Sequence, residues 1–373
     1  MRVIELFAGI GAQRMALDLE GIPHEVVAIS EINRHSLASY KAIYGDCPNL
    51  GDITRIDRLP PCDLVTYSFP CQDLSLAGKR AGMGEGTRSG LVWEVIRLLE
   101  TAEERPEWLL MENVPQVLTS PLWGDLTGRL EAMGYRNRWA KLDSSRFGSA
   151  QKRVRAFMVS RMGQDPPDLP SSLPNAPRLC LRDVMEPERD ERYVKRIPLD
   201  RVRFRGESQE AQIKVVADWQ REGRIEQANR LYSGDGPSPC IVGRGGGDRD
   251  IKIVADDTSI GYEWQARIYS KNGASPTVTD LGRRGKEFFK VMDSEDRGDL
   301  VVNILTPREC WRLMGFPDWA YDRAAEVSSP AQLYNQAGNS IVVEVLRAIF
   351  RAMEQPEAVQ TSIDTFTHTF LCT

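Results

Sequence analysis

The sequence predicts an α/β protein: a parallel sheet with helices on both faces, then a mostly irregular β region, then a short helical segment. Three observations carry that expectation. Short apolar runs alternate with helical segments up to about residue 160. Pro166-Pro167, Pro170, Pro174 and Pro177 then break all regular patterning. From about 178 to 300 the chain is rich in Arg, Asp and Gly with only brief β-branched runs, and helical periodicity resumes after Thr306.

In chain order, Val3 to Phe7 is a first apolar run, broken by Ala8-Gly9-Ile10-Gly11 before a helical stretch from Ala12 to Glu20. Val26 to Glu31 is a second run ending in an acid, and a third element ends near Gly51-Asp52-Ile53. Asp63 to Phe69 leads into Pro70-Cys71, and Trp108 to Met111 leads into Glu112. Each candidate group thereby falls just past a strand, the edge where open α/β sheets bind ligands. Helices are expected over Gly90–Thr101, Leu122–Met133, Glu309–Met314 and Ser340–Met353, the third with Thr306 as N-cap and Pro307 in its first position. The residues after Glu354 show no periodicity.

Composition narrows the class. A chain of 373 residues with 41% hydrophobic content fits two domains with a packed core. It has no run of 18 apolar residues and no signal-like N-terminus, so no membrane partner is expected. Seven cysteines, an odd number without a Cys-x-x-Cys pair, point to a reducing, cytoplasmic setting and away from structural zinc; no metal is expected. The net charge of −5 argues against a nucleic-acid partner at face value. Local fields matter more, and Lys79, Arg80 and Arg88, Lys152, Arg153 and Arg155, and Arg283-Arg284-Gly285-Lys286 are basic clusters.

The chemistry concentrates in three peptides, Ser68-Phe69-Pro70-Cys71-Gln72, Glu112-Asn113-Val114 and Gln151-Lys152-Arg153-Val154-Arg155. They supply a soft nucleophile, an acid and two guanidinium groups, a set suited to an electron-poor ring beside a phosphodiester. A thiolate can add to C6 of cytosine while a carboxyl group hydrogen-bonds N3 and arginines hold base and phosphate. The strand, glycine turn and helix at Gly9-x-Gly11 form an anion- or nucleotide-binding end, but lack the third glycine of the dinucleotide fingerprint. Blander readings stand beside these: an ordinary strand–helix turn, a buried structural thiol, surface arginines. Cys47, Cys62, Cys180, Cys240, Cys310 and Cys372 have no comparable setting and read as structural.

Taken in this order, the peptides resemble the DNA (cytosine-5)-methyltransferase family over nearly the whole chain. The resemblance implies a Rossmann-like S-adenosylmethionine-dependent methyltransferase sheet with a smaller target-recognition domain. It implies a catalytic and cofactor domain over 1–165, target recognition over 178–303, a return segment over 304–355 that packs back on the first domain, and a tail over 356–373. Its cofactor turn falls on Phe7, Ala8, Gly9 and Gly11, its ribose ligand on Glu31 beside Ile32, and its adenine ligand on Asp52 beside Ile53. Pro70, Leu91, Asn339 and Ser340 complete the implied cofactor set, Leu91 through Arg88-Ser89-Gly90-Leu91 and the last two through Gly338-Asn339-Ser340. Cys71 becomes the nucleophile, Glu112 the acid, and Arg153 and Arg155 the holders of an extruded cytosine. Gln72, Ser75, Arg88 and Gln151 fall where the family meets DNA. One departure is visible: the family usually has glycine before Phe-Pro-Cys, and this chain has Ser68. The implied cofactor is S-adenosyl-L-methionine and the implied partner is double-stranded DNA. The resemblance admits a companion restriction endonuclease acting on the same site, and a monomer is expected.

One feature lies outside the resemblance. The stretch Arg230 to Pro239 recurs, shifted by 37 residues, as Arg267 to Pro276, with Arg, Tyr, Ser, Gly, Ser and Pro identical. The copies extend over 230–254 and 267–291. Arg244 and Arg249 follow the first, Arg283 and Arg284 the second, and arginine is the commonest reader of guanine in the major groove. A repeated hairpin without special role is the plain alternative. Three functional alternatives also stay open: an RNA cytosine-5 methyltransferase, although the Cys-Phe-Thr tripeptide of such enzymes is absent; a DNA-binding relative without catalysis; and a nicotinamide dehydrogenase, which leaves Cys71 and the arginines unexplained.

Overall fold

The computed structural model describes residues 1–70, 89–121, 123–188, 190–198, 201–204, 215–219, 230–232, 238, 252–254, 268–270, 290–292 and 299–354. Cys71, Gln72, Ser75, Arg88, Arg244, Arg249, Arg283, Arg284 and the 356–373 tail lie outside the described residues. The chain divides into two compact units, one of Met1–Val184, Ser238–Gly245 and Pro307–Thr373, the other of Met185–Pro237 and Gly246–Thr306.

The first unit is built on six strands, β1 Arg2–Leu6, β2 Glu25–Ser30, β3 Leu64–Tyr67, β4 Trp108–Asn113, β5 Tyr135–Asp143 and β6 Val154–Met162, in the order β2-β1-β3-β4-β6-β5. The first four run parallel. They read as continuous apolar runs because both faces are covered; Val3, Ile4, Leu6, Leu64, Val65, Leu109 and Met111 are all fully buried. The sheet is not parallel throughout, as the sequence predicts: β6 is antiparallel to both β4 and β5. Residues 144–153 alone join β5 to β6, too few for the crossover a parallel pair needs, so the two close as a hairpin.

Two further expectations need correction. The element ending near Asp52 is not a strand. Gly51 sits at φ 74, Asp52 accepts from the Thr54 amide, and Ile53–Arg55 forms a 3-10 turn instead. Glu112 does not lie past its strand either: β4 extends to Asn113, and Glu112 is paired with Phe157 of β6.

The helices of this unit are α1 Ala12–Glu20, α2 Arg34–Tyr44, α3 Val92–Glu100, α4 Trp123–Ala132, α5 Leu181–Val184, α6 Pro307–Leu313, α7 Asp318–Ala325, α8 Pro330–Asn339 and α9 Val343–Glu354. Asn33 caps α2 by accepting from the amides of His35 and Ser36. The late helices pack on the early ones. Arg347 and Arg351 of α9 close on Glu20 of α1 at 2.6 and 2.8 Å, and Arg323 of α7 donates to the Ile43 carbonyl of α2 at 2.8 Å. No helix among the described residues is long and apolar enough to cross a membrane.

The second unit is more regular than its sequence. β7 Val194–Pro198, β8 Val202–Phe204, β9 Val215–Trp219, β10 Arg230–Tyr232, β11 Lys252–Val254 and β14 Asp299–Ile304 form one sheet in the order β7-β14-β11-β10-β9-β8. Ile197, Leu231 and Val302 are fully buried in it. β12 Ile268–Ser270 and β13 Lys290–Met292 form a separate pair. The duplicated sequence reappears here as duplicated pairing. β10 runs parallel to β11 with Leu231 opposite Lys252, and β12 runs parallel to β13 with Ile268 opposite Lys290. Leu231 and Ile268 are equivalent positions of the repeat, so both copies make a parallel pair, with a partner one residue further on in the second copy.

Candidate active site

β1 ends in a turn whose backbone the sequence has to force. Phe7, Gly9 and Gly11 all lie in the left-handed region, at φ 57, 58 and 75. For Phe7 this costs roughly 1–2 kcal/mol. Gly11 is required for a second reason: a Cβ there would sit 2.6 Å from the Tyr44 ring and 2.7 Å from the Tyr40 ring. Those rings belong to α2, and the Tyr44 hydroxyl donates to the Gly11 carbonyl at 2.6 Å. Beneath the turn the fully buried Glu5 carboxylate accepts from the Arg14 amide at 2.9 Å and from the Tyr40 hydroxyl at 2.7 Å. Burial raises the Glu5 carboxyl to about 7 against those two hydrogen bonds.

Glu31, just past β2, is fixed to the same turn. Its carboxylate accepts from the Gly9 amide at 2.8 Å and the Asn33 amide at 2.6 Å, and Asn49 grips its backbone. Burial raises its proton affinity, opposed by those amides. Each carboxylate oxygen has a second lone pair, so Glu31 can still accept from a ligand's hydroxyls. Asp52 holds Thr54 through Oδ1, bonds that depress its carboxyl and keep it ionised.

The third group gathers at the ends of β3, β4 and β6. The Glu112 carboxylate is 3.4 Å from Arg155 Nε, and both side chains are largely buried. Burial pushes the Glu112 carboxyl up, while Arg155, Arg153 and the Ser68 hydroxyl hold it down. Asn113 donates to the Phe69 carbonyl at 3.0 Å and so ties the segment entering Pro70 to β4. Arg153 and Arg155 are not two alternating positions of one strand, because β6 begins only at Val154 and Arg153 stands ahead of it. Arg153 turns inward at 5% exposure and donates to the Gly338 and Ser340 carbonyls at 3.0 and 2.9 Å. These two bonds tie the entry to β6 to the end of α8. Gln151, expected at DNA, is completely buried. Its carbonyl accepts from Ser144 and its amide donates to Ser149, so it shapes the turn between β5 and β6.

One pocket collects much of this set. It is lined by Phe7, Ala8, Gly9, Ile10, Ala12 and Gln13, by Ser36 and Ser68, and by Gln336, Asn339, Ser340 and Ile341 at the end of α8. Of the residues expected around a cofactor, Phe7, Ala8, Gly9, Asn339 and Ser340 therefore meet, with Glu31 bonded to Gly9. Gly11 lies behind the turn, Ile53 is buried in the core at 3% exposure, and Ile32 is 75% exposed beside Glu31. Asp52, Pro70 and Leu91 are also outside the lining. Sequence reasoning missed Gln336, whose amide bonds the His35 carbonyl, Ser39 and Ser328. Its place two residues ahead of Gly338-Asn339-Ser340 is the only signal that marks it. The thiols of Cys47, Cys62 and Cys180 are shifted up by burial, Cys62 to about 12, so none of these three is a poised nucleophile.

A glycine turn on a mostly parallel sheet, an acid bonded to that turn and a buried carboxyl–guanidinium pair beside it define a nucleotide-cofactor enzyme of the methyltransferase type. The C-5 cytosine-specific DNA methylase family matches residues 1–355, and the chain belongs to that family. It is a DNA cytosine-5 methyltransferase by class. Among its relatives, the type II methyltransferase M2.ScrFI of Lactococcus lactis subsp. cremoris is 28% identical, covering 95% of this chain and 99% of the relative. The type II methyltransferase M.DsaV of Dactylococcopsis salina is 29% identical over 95% of this chain and 86% of its own. The fold is shared with the S. pombe Dnmt2 methyltransferase, at TM-score 0.63 and 20% identity over 95% of this chain and 99% of that one. It is shared too with the Entamoeba histolytica methyltransferase EhMeth, at TM-score 0.66 and 14% identity over 95% and 97% of the two chains. Family and fold together imply use of S-adenosylmethionine.

Glu5 gives this site a pH signature. Its folded-state value near 7 lies above the ordinary 4.5, so its contribution to stability is complete below about 4.5 and lost as pH rises through about 7. Urea unfolding of wild type and Glu5→Gln between pH 4.5 and 8 measures this directly. The wild type is expected to lose stability relative to the variant as pH rises, and parallel curves would contradict the assignment.

Proposed function

We propose that this chain transfers a methyl group to C5 of cytosine within a specific duplex DNA sequence, through base extrusion and a covalent bond between Cys71 and C6. The observation that carries the reading is the buried Glu112 carboxyl beside Arg155, on the strand whose Asn113 holds the segment entering Pro70. Extruding the cytosine costs a few kcal/mol of unstacking, least where the pair is already weak. The Cys71 thiolate forms an S–C6 bond, and the displaced electron pair is shared between C5 and the N3 side of the ring. Glu112 hydrogen-bonds N3 as that charge builds, and Arg155 orients the Glu112 carboxyl. When bound, S-adenosylmethionine supplies the electrophilic methyl group that C5 takes. Loss of the C5 proton then lets the S–C6 electron pair return to sulfur, freeing Cys71 and restoring the aromatic ring.

The donor set fits that cofactor. Glu31 offers lone pairs for a ribose diol, Asp52 for an amino group, and the turn from Phe7 to Gly9 with Asn339 and Ser340 offers a wall of backbone and polar side chains. Sequence choice is assigned to residues 178–303, most of which lie in the second unit. Its paired copies, β10–β11 and β12–β13, support the reading that Arg244 and Arg249 read bases from one copy and Arg283 and Arg284 from the other.

Labelled methyl transfer from S-adenosylmethionine to duplex DNA, compared with tRNA and with no substrate, tests the reaction. Incorporation into DNA alone is expected, at C5 of cytosine. DNA carrying 5-fluorocytosine should trap a denaturation-resistant adduct with wild type and none with Cys71→Ala, because fluorine does not leave as the C5 proton does. An adduct surviving in that variant would overturn the assignment of Cys71.

Sequencing the methylated sites left by single alanine variants of Arg244, Arg249, Arg283 and Arg284 tests the division of specificity. At least one variant from each copy should relax one position of the consensus, by about 1–3 kcal/mol per lost bidentate contact. If only second-copy variants do so, the first copy is scaffold.

A further inference from the structure

Ser68 is the one place where the nucleophile motif departs from the family pattern, and the fold gives that departure a partner. β3 and β4 pair in parallel with Tyr67 beside Met111, so the next rung sets Ser68 beside Glu112. The strand order β3-β4-β6 puts Glu112 between two neighbours, with the Ser68 strand on one side and the Arg155 strand on the other. The Ser68 hydroxyl is buried with no well-aligned hydrogen bond, yet it lies close enough to Glu112 to lower that carboxyl's proton affinity, and the residue lines the pocket with Ala8 and Asn339. A buried hydroxyl without a partner is costly, and a rotatable O–H beside a carboxylate is placed to close that bond.

We propose that Ser68 is a positioning residue for Glu112, its hydroxyl donating to the carboxylate from the β3 side while Arg155 engages it from the β6 side. A serine hydroxyl suits this place because it can donate to the ionised acid and accept from the protonated one. The charged groups facing Glu112 are Arg155 in β6 and Arg153 just ahead of it. Both stabilise the ionised form, and the Ser68 hydroxyl acts in the same direction against the burial that favours the neutral acid. Glycine at this position offers no donor. The chain thus holds Glu112 in place, and holds its proton less tightly, through a group its relatives' usual residue does not supply.

This rests on the reading of Glu112 as the group that meets N3, but its test does not need turnover. The carboxyl carbon of Glu112, labelled with carbon-13 and identified by its disappearance in Glu112→Gln, can be titrated by NMR in the whole chain. Ser68→Ala and Ser68→Gly are each expected to move the Glu112 midpoint upward, and Ser68→Thr to return it toward wild type. If Ser68→Ala fails to fold, Ser68→Gly makes the same comparison with the family's own residue. The pH–rate profile of methyl transfer should shift in the same direction, with KM for DNA unchanged. A midpoint that stays put or falls in the hydroxyl-free variants, or a threonine variant that matches alanine, overturns the proposal. A wild type that transfers no methyl group would sink the catalytic reading instead and leave the titration to decide this one.

Discussion

The site depends on one buried guanidinium. Arg153 stands at the entry to β6 and reaches the carbonyls of Gly338 and Ser340, residues 185 and 187 positions later in the chain. Those carbonyls close α8, where the helix has no further amides to offer them. Both bonds come from Nη2, whose two N–H groups are fixed in the guanidinium plane, a direction that an ammonium on a flexible stem holds less well. Because Asn339 and Ser340 form one wall of the pocket, the wall stands where Arg153 puts it. The same charge also lies close enough to Glu112 to favour its ionised form.

The opposite wall is governed by a different economy of polar groups. The turn after β1 contains three left-handed residues, and groups from outside the turn hold two of them and the helix that follows. Glu31 bonds the Gly9 amide, Tyr44 bonds the Gly11 carbonyl, and Glu5 bonds the first turn of α1 through Arg14. A ligand entering here meets a backbone already in its strained form, so little ordering remains to oppose binding. Glu5 is the cost of that arrangement: a carboxyl taken wholly out of water and raised to about 7.

The strands that carry the site were visible in the sequence because their apolar runs are short, uninterrupted and punctuated by glycine or proline, and α1 was visible for the same reason. The glycine turn, Glu31 and Glu112 follow from those strand ends. What was not visible depends on proximity across the chain. Arg153 and Arg155 look equivalent by alternation, and only the fold shows Arg153 ahead of β6 on the Gly338 and Ser340 carbonyls and Arg155 in the strand at the Glu112 carboxylate. Asp52 sits in a local cap that a run of apolar residues does not reveal. α7 has Trp319 exposed and a weakly patterned surface, so its contact with α2 could not be read from periodicity. In the second unit three-residue strands such as β10 and β12 are too short to show a period, whereas the repeat in sequence is accompanied by a parallel pair in each copy.

If Arg153 sets the pocket wall, replacing it must weaken the cofactor without touching it. Calorimetric titration of S-adenosylmethionine into folded Arg153→Lys, with Arg155→Lys beside it, isolates that effect. Losing a charged hydrogen bond is worth roughly 1.5–3 kcal/mol, so Arg153→Lys should bind about ten- to a hundredfold more weakly, while Arg155→Lys stays near wild type. A folded Arg153→Lys chain that binds S-adenosylmethionine with wild-type affinity would contradict the account.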